Sequence, residues 1–158
     1  MRSLLVVLAV SMWLFVPASS AQQVSNLPAP AGDCQVTTAP SGRAGSHLIS
    51  VGLWPEGMVV FKPGGPGFIT PAGALGMKFP WQRGISGRLK IDGRRLDADA
   101  PPLRSEVPFG YGDRGFQSSY IIFPTPGCWE VTGRVADASV TFITEVVKVG
   151  EGPSWRRQ

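Results

Sequence analysis

Few side chains here combine a type and a spacing suited to covalent chemistry. A nucleophilic hydrolase needs a hydroxyl or thiol with a base in hydrogen-bond reach. The sequence holds one histidine, His47, and no Gly-x-Ser-x-Gly elbow. His47 stands just before an apolar-alternating segment, where it reads as a polar loop residue. A blue-copper ligand set takes two histidines, so that pattern is excluded. The nearest approach to a calcium cluster is Asp97 with Asp99, which read as capping a solvated loop. A glycosidase pair could be drawn from Glu56, Glu106, Asp113 or Glu130, and nothing in the spacing selects two of them. No catalytic, cofactor or metal constellation emerges, and the expectation is a non-enzymatic protein.

Binding chemistry is better represented. Trp54, Phe79, Trp81, Phe109 and Tyr111 fall at strand ends or in loops, where scaffolds present contact residues. With Arg83, Arg88, Lys90 and Arg95 nearby, they suit an anionic glycan or a protein partner held by aromatic anchors. The candidate binding surface is therefore Trp54, Phe79, Trp81, Arg83, Arg88, Lys90, Arg95 and Tyr111. A plainer account of the same residues stays open. Large aromatics fill the core of a small β domain, and charged side chains cover its solvated faces.

The chain begins with a pattern that sets the compartment. Arg2 supplies a positive start, Leu4 to Val16 is apolar except at Ser11, and Ala18-Ser19-Ser20-Ala21 has the small residues of a cleavage site. The apolar run is about 13 residues, whereas a spanning helix needs about 20. Residues 1–21 are expected to be a cleaved secretory signal. No cysteine follows the site, so no lipid anchor is expected, and no later stretch is apolar enough to span a bilayer. The product should be soluble and secreted, periplasmic or within the cell envelope.

Export also gives meaning to Cys34 and Cys128, the chain's two cysteines. An even pair in an oxidising compartment reads as a disulfide. Closing a loop of about 94 residues should stabilise the fold by about 4 to 5 kcal/mol in the chain-entropy account. A thiolate metal site would need more ligands than one histidine supplies.

The elements that must position these residues are strands. Beyond the signal, residues 22–33 form a polar leader, 34–150 one domain, and 151–158 a flexible basic tail. About 137 residues suffice for one core and not two. Glycine and proline recur between segments rich in Val, Ile, Phe and Trp, which is strand punctuation. The net charge of +4 owes much to Arg2, Arg156 and Arg157 at the chain ends, so overall charge makes no case for nucleic-acid binding.

Strands are expected at Cys34 to Thr38, Leu48 to Trp54, Met58 to Phe61, Phe68 to Thr70, Leu75 to Trp81, Ser118 to Phe123, Cys128 to Val135 and Ser139 to Val149. Met58 to Phe61 reads as a hairpin partner of Leu48 to Trp54 across Pro55-Glu56-Gly57. Pro71 and Pro80 should interrupt their neighbourhood. Asp92-Gly93 between alternating arms predicts a type I′ hairpin pairing Leu89 with Leu96, Lys90 with Arg95 and Ile91 with Arg94. Its outer face would then be a basic patch. Phe109 to Phe116 is too glycine-rich for a strand. If Trp129 faces the core, Cys128 faces away from it, so the disulfide should tether the N-terminal segment to an outer face. The expected fold is all-β, a single immunoglobulin-like β-sandwich, with a small closed β-barrel as the alternative.

At Pro124-Thr125-Pro126-Gly127-Cys128-Trp129-Glu130-Val131-Thr132-Gly133-Arg134 the chain resembles a family of small exported bacterial proteins of unknown function. Gly64 to Phe68, Gly76 to Trp81, Gly93 to Asp97 and Gly110 to Asp113 match as well. The resemblance implies a β-sandwich, with a lipoprotein signal in some members, and brings no assigned catalytic residues with it. The leading expectation is an exported module that binds a protein or glycan of the envelope or exterior. A structural accessory domain and a cell-wall hydrolase are the alternatives.

Overall fold

A computed structural model describes residues 33–150. The signal at 1–21, the leader up to residue 32 and the tail at 151–158 lie outside the described residues. Ten strands follow in order: β1 (Arg43–Gly45), β2 (Ile49–Gly52), β3 (Met58–Phe61), β4 (Phe68–Ile69), β5 (Leu75–Arg83), β6 (Lys90–Arg95), β7 (Arg104–Glu106), β8 (Gly115–Phe123), β9 (Gly127–Val135) and β10 (Ala138–Lys148). They form two sheets. One runs β1-β2-β5-β8-β7 with β4 also on β5, and the other runs β3-β10-β9-β6. The molecule is a β-sandwich and not a closed barrel. No described helix is long and apolar enough to cross a membrane.

Alternation places the core. Along β5, Leu75, Met77, Phe79 and Trp81 face inward, and β8 adds Ile121 and Phe123 from the next strand. The facing sheet contributes Phe61, Trp129, Val131, Phe142 and Val146, all buried. Phe142 bridges the layers, its ring 5.6 Å from Phe79 and 6.3 Å from Trp81. The Trp81 indole lies on Gly133 of the facing sheet, where any Cβ would come within 2.3 Å of the ring. Its Nε1 donates to Ser119 Oγ at 2.9 Å, which satisfies a polar atom in the middle of the core.

The β9–β10 hairpin runs in unbroken register from Val135↔Ala138 to Gly127↔Val146. β10 lies between β3 and β9, and it carries no bulge. Cys34 and Cys128 are joined, with Cα atoms 5.4 Å apart. Trp129 is buried in the core, so its neighbour Cys128 ties the N-terminal segment to the outer face of this sheet.

Several expectations are corrected. Cys34 to Thr38 is not a strand; Thr37 N–H donates to Ile143 O at 2.8 Å, and Thr37 Oγ1 accepts from Ile143 N–H at 2.9 Å. Met58 to Phe61 does not pair with β2. It runs parallel to β10 in the other sheet, because Glu56 (φ 57) and Gly57 (φ 71) turn the chain across the sandwich. Pro80 does not interrupt β5. It occupies the gap between the β4 pairing at 75–76 and the β2 pairing at 81–83, where a missing N–H costs no ladder bond on that margin.

The largest correction concerns Asp92-Gly93. No hairpin forms; β6 passes straight through both residues and pairs with β9 from Lys90↔Arg134 to Arg95↔Trp129. A type I′ turn needs positive φ at both central residues, and neither Asp92 nor Gly93 adopts it. The long pairing with β9 outweighs the local turn preference, aided by cross-strand ion pairs Arg94–Glu130 and Asp92–Arg134. Gly93 is needed for space: a Cβ there would lie 2.3 Å from Glu130 O and 2.6 Å from Leu103 Cδ2. The predicted facing of Lys90 and Arg95 disappears, and Leu96 is exposed where a core position was expected.

Candidate functional site

The functional features gather at one end of the sandwich, where the chain leaves β5, β7 and β9. Arg83 is the last residue of β5, and alternation from Phe79 and Trp81 carries its side chain inward. Only 3% of Arg83 is exposed. Its guanidinium donates from Nη1 to Gly87 O at 2.9 Å, and from Nη2 to Tyr111 O at 3.2 Å and Gly112 O at 2.8 Å. Its Nε has no acceptor among the described residues. One buried cation therefore fastens two connecting loops, 84–89 and 107–114.

Gln117, also buried, grips the second loop at its other end, Nε2 donating to Pro108 O at 3.1 Å. Gly87 N–H donates to Asp113 O at 3.3 Å and closes the two loops on each other. A Cβ on Gly87 would meet Val135 and Ala136, so the β9–β10 turn adjoins the same end.

Aromatic side chains stand on this fastened backbone. Phe109 is 84% exposed and Phe116 51%. The Arg88 guanidinium lies 4.9 Å above the Phe109 ring, and the Tyr111 and Phe116 rings are 5.7 Å apart. Beside Arg88 a groove of about 300 Å³ opens between β6 and β7, lined by Arg88, Leu89, Lys90, Ile91, Ser105 and Val107. That volume is at the small end for ligand pockets.

No known family model matches this chain, and no curated protein matches it.

The eight candidate residues do not form one surface. Phe79 and Trp81 are fully buried core residues, and Arg83 lies beneath the loops and not on them. Trp54 precedes the sheet-switching turn, whose Gly57 carbonyl accepts from Thr144 of β10 on the β3 margin, across the sheet from β6. Trp54 is half-buried, with no acceptor at Nε1 among the described residues. Arg88, Lys90 and Tyr111 do come together at the loop end.

Arg95 lies at the far end of β6, where Nε donates to Asp97 at 2.7 Å and Nη1 to Thr125 Oγ1 at 3.2 Å. Asp97 also accepts the Cys128 N–H at 3.1 Å. The Arg95 hydrogen bond holds the Asp97 carboxyl below its ordinary range against desolvation, and the same contact raises the Arg95 guanidinium. This pair braces the disulfide. A general acid requires the opposite direction of shift at its carboxyl.

Phe116 and Gln117 were missed from sequence. The signal was there: a phenylalanine directly after a glycine-rich run, then a glutamine opening the polar stretch Gln117-Ser118-Ser119 ahead of the apolar end of the strand. His47 is exposed in the β1–β2 loop, as a polar loop residue should be. Among the described residues, no three His, Cys, Asp or Glu side chains gather to hold a metal ion.

Proposed function

We propose that this chain is an exported, non-enzymatic module of immunoglobulin-like architecture that binds an envelope or extracellular protein, or an anionic glycan, through its loop end. The observation that carries the proposal is the contrast at Arg83. A buried guanidinium holds in place a loop whose Phe109 is 84% exposed. Burying a charge is costly unless its donors are used, and a large exposed ring gains nothing for folding. Two fastened loops and the start of β8, presenting Arg88, Phe109, Tyr111 and Phe116, suit recognition by rigid aromatic anchors.

Strand order supports the architectural part. β2, β5, β8 and β7 follow the A-B-E-D order, and β6, β9 and β10 follow C-F-G, with β3 parallel to the last strand. The loops 84–89 and 107–114 and the β9–β10 turn then correspond to the loop cluster at one end of such domains. The disulfide agrees with an oxidising compartment.

The test is capture from the producing cell's envelope fraction, alongside binding to soluble anionic glycans, with wild type and a Phe109→Ser/Phe116→Ser variant. Near-UV circular dichroism checks that both are folded. Binding should be lost in the variant. Equal binding by a folded variant contradicts the proposal.

A further inference from the structure

The groove beside Arg88 defines the conformation of the partner, an inference that rests on the binding role proposed above. We propose that the gap between β6 and β7 takes an extended peptide segment with alternating acidic and small apolar residues, added as a strand to β6 on its wedge side, beginning at Leu89.

β6 and β7 are the outermost strands of different sheets, on the same side of the sandwich. They meet where residues 103–105 approach Gly93 and Ile91. Leu103 N–H donates to Gly93 O at 3.3 Å, and Ser105 Oγ donates to Ile91 O at 3.0 Å. Towards Arg88 and Val107 the strands part, which leaves the wedge of about 300 Å³.

The backbone in that wedge is ready for pairing. The Ile91 carbonyl faces β7, and in an antiparallel strand a residue's N–H and C=O point the same way. The Ile91 N–H therefore points to the wedge side of β6, away from β9. Two residues earlier, just outside the strand, the Leu89 N–H and C=O make no hydrogen bond among the described residues. These are the groups that strand addition uses.

The side chains specify what is added. Leu89 and Ile91 are turned inward and floor the wedge together with Val107. Arg88 and Lys90 alternate with them and stand on the outer face. Lys90 lies opposite Arg134, a like charge whose own partner is Asp92. A strand beside β6 would set alternate residues next to Arg88 and Lys90, where carboxylates relieve that crowding of positive charge. The residues between them would face Leu89, Ile91 and Val107, where the limited volume favours small apolar side chains. Phe109 stands at the mouth, stacked on Arg88.

The test uses the disulfide-bonded protein, isotope-labelled, and three heptapeptides. One alternates Glu and Val, the second alternates Lys and Val, and the third is the Glu-Val peptide methylated on alternate backbone nitrogens. The Glu-Val peptide should shift the Leu89 and Ile91 amide signals and slow their hydrogen exchange. It should bind at least about tenfold more tightly than either control, and Arg88→Glu/Lys90→Glu should reverse the charge preference. Equal binding of the methylated peptide, or perturbation confined to another edge, overturns the proposal. So does failure of every peptide to bind, since Arg88 and Lys90 then merely guard an edge against self-association. Envelope capture that depends on Phe109 while no peptide protects Ile91 removes strand addition and leaves the binding role. Loss of both removes the two together.

Discussion

Arg83 Nη2 donates a 2.8 Å hydrogen bond to the Gly112 carbonyl, fastening the end of a core strand to a loop 29 residues later. Two further carbonyls, of Gly87 and Tyr111, share the same guanidinium. A fixed, inward-facing arginine thus determines the shape of an exposed aromatic loop.

Replacing Arg83 by Met keeps much of the buried volume and removes those donors. Three carbonyls lose a charged partner, and the expected loss of stability is about 2–4 kcal/mol. Urea unfolding measures it. The 107–114 amides should also exchange faster in the variant under native conditions, while β9 and β10 keep their protection.

Two glycines are required by contact. At Gly133 a Cβ would meet the Trp81 ring at 2.3 Å, and at Gly93 it would meet Glu130 O at 2.3 Å. Gly93→Ala should destabilise by about 1–3 kcal/mol, since a backbone oxygen cannot move aside as a side-chain end can. A turn glycine at this position would instead tolerate Asn. Gly93→Asn unfolding at much lower urea than wild type therefore distinguishes the straight β6 from the hairpin.

Reduction of Cys34–Cys128 opens a loop with sequence separation 94. The Cys34→Ser/Cys128→Ser variant should lose about 4 kcal/mol relative to the oxidised protein. The hydrogen bonds between Thr37 and Ile143 should become labile first, visible as faster exchange of the Thr37 and Ile143 amides.

Asp97 predicts a pH dependence. Its folded value lies below the unfolded one of 3.8, so its ion pair stabilises the fold fully above that value. The contribution fades as pH falls through the depressed folded value. Wild type should lose stability more steeply than Asp97→Asn on acidification below about pH 4, so the two unfolding midpoints converge at low pH. Parallel curves would show that Asp97 makes no such contribution.

Much of this fold is legible in the sequence because alternation with period two survives intact. It places Trp129 inward and Cys128 outward and marks both arms of the β9–β10 hairpin, while the even pair of cysteines points to the disulfide. Asp92-Gly93 misleads because the turn preference is local, whereas the partner that decides its conformation, β9, begins 34 residues later at Gly127. The partner of Met58 to Phe61 is hidden for the same reason, since β10 comes near the end of the domain. The site was half legible. Arg88, Lys90 and Tyr111 were named, but Phe79 and Trp81 were named beside them although large aromatics in a small sandwich mostly fill its core, because their strand's inner face was unassigned. Once Trp81 is inside, alternation takes Arg83 inside too.

Site-specific photo-crosslinking tests the central claim most directly. A photoreactive phenylalanine analogue is placed at Phe109 in one protein and at Leu96, exposed at the far end of β6, in another. Each is irradiated in the producing cells. A defined envelope or extracellular adduct should form from Phe109 and not from Leu96. The same adduct from Leu96 with none from Phe109 would contradict recognition at the loop end.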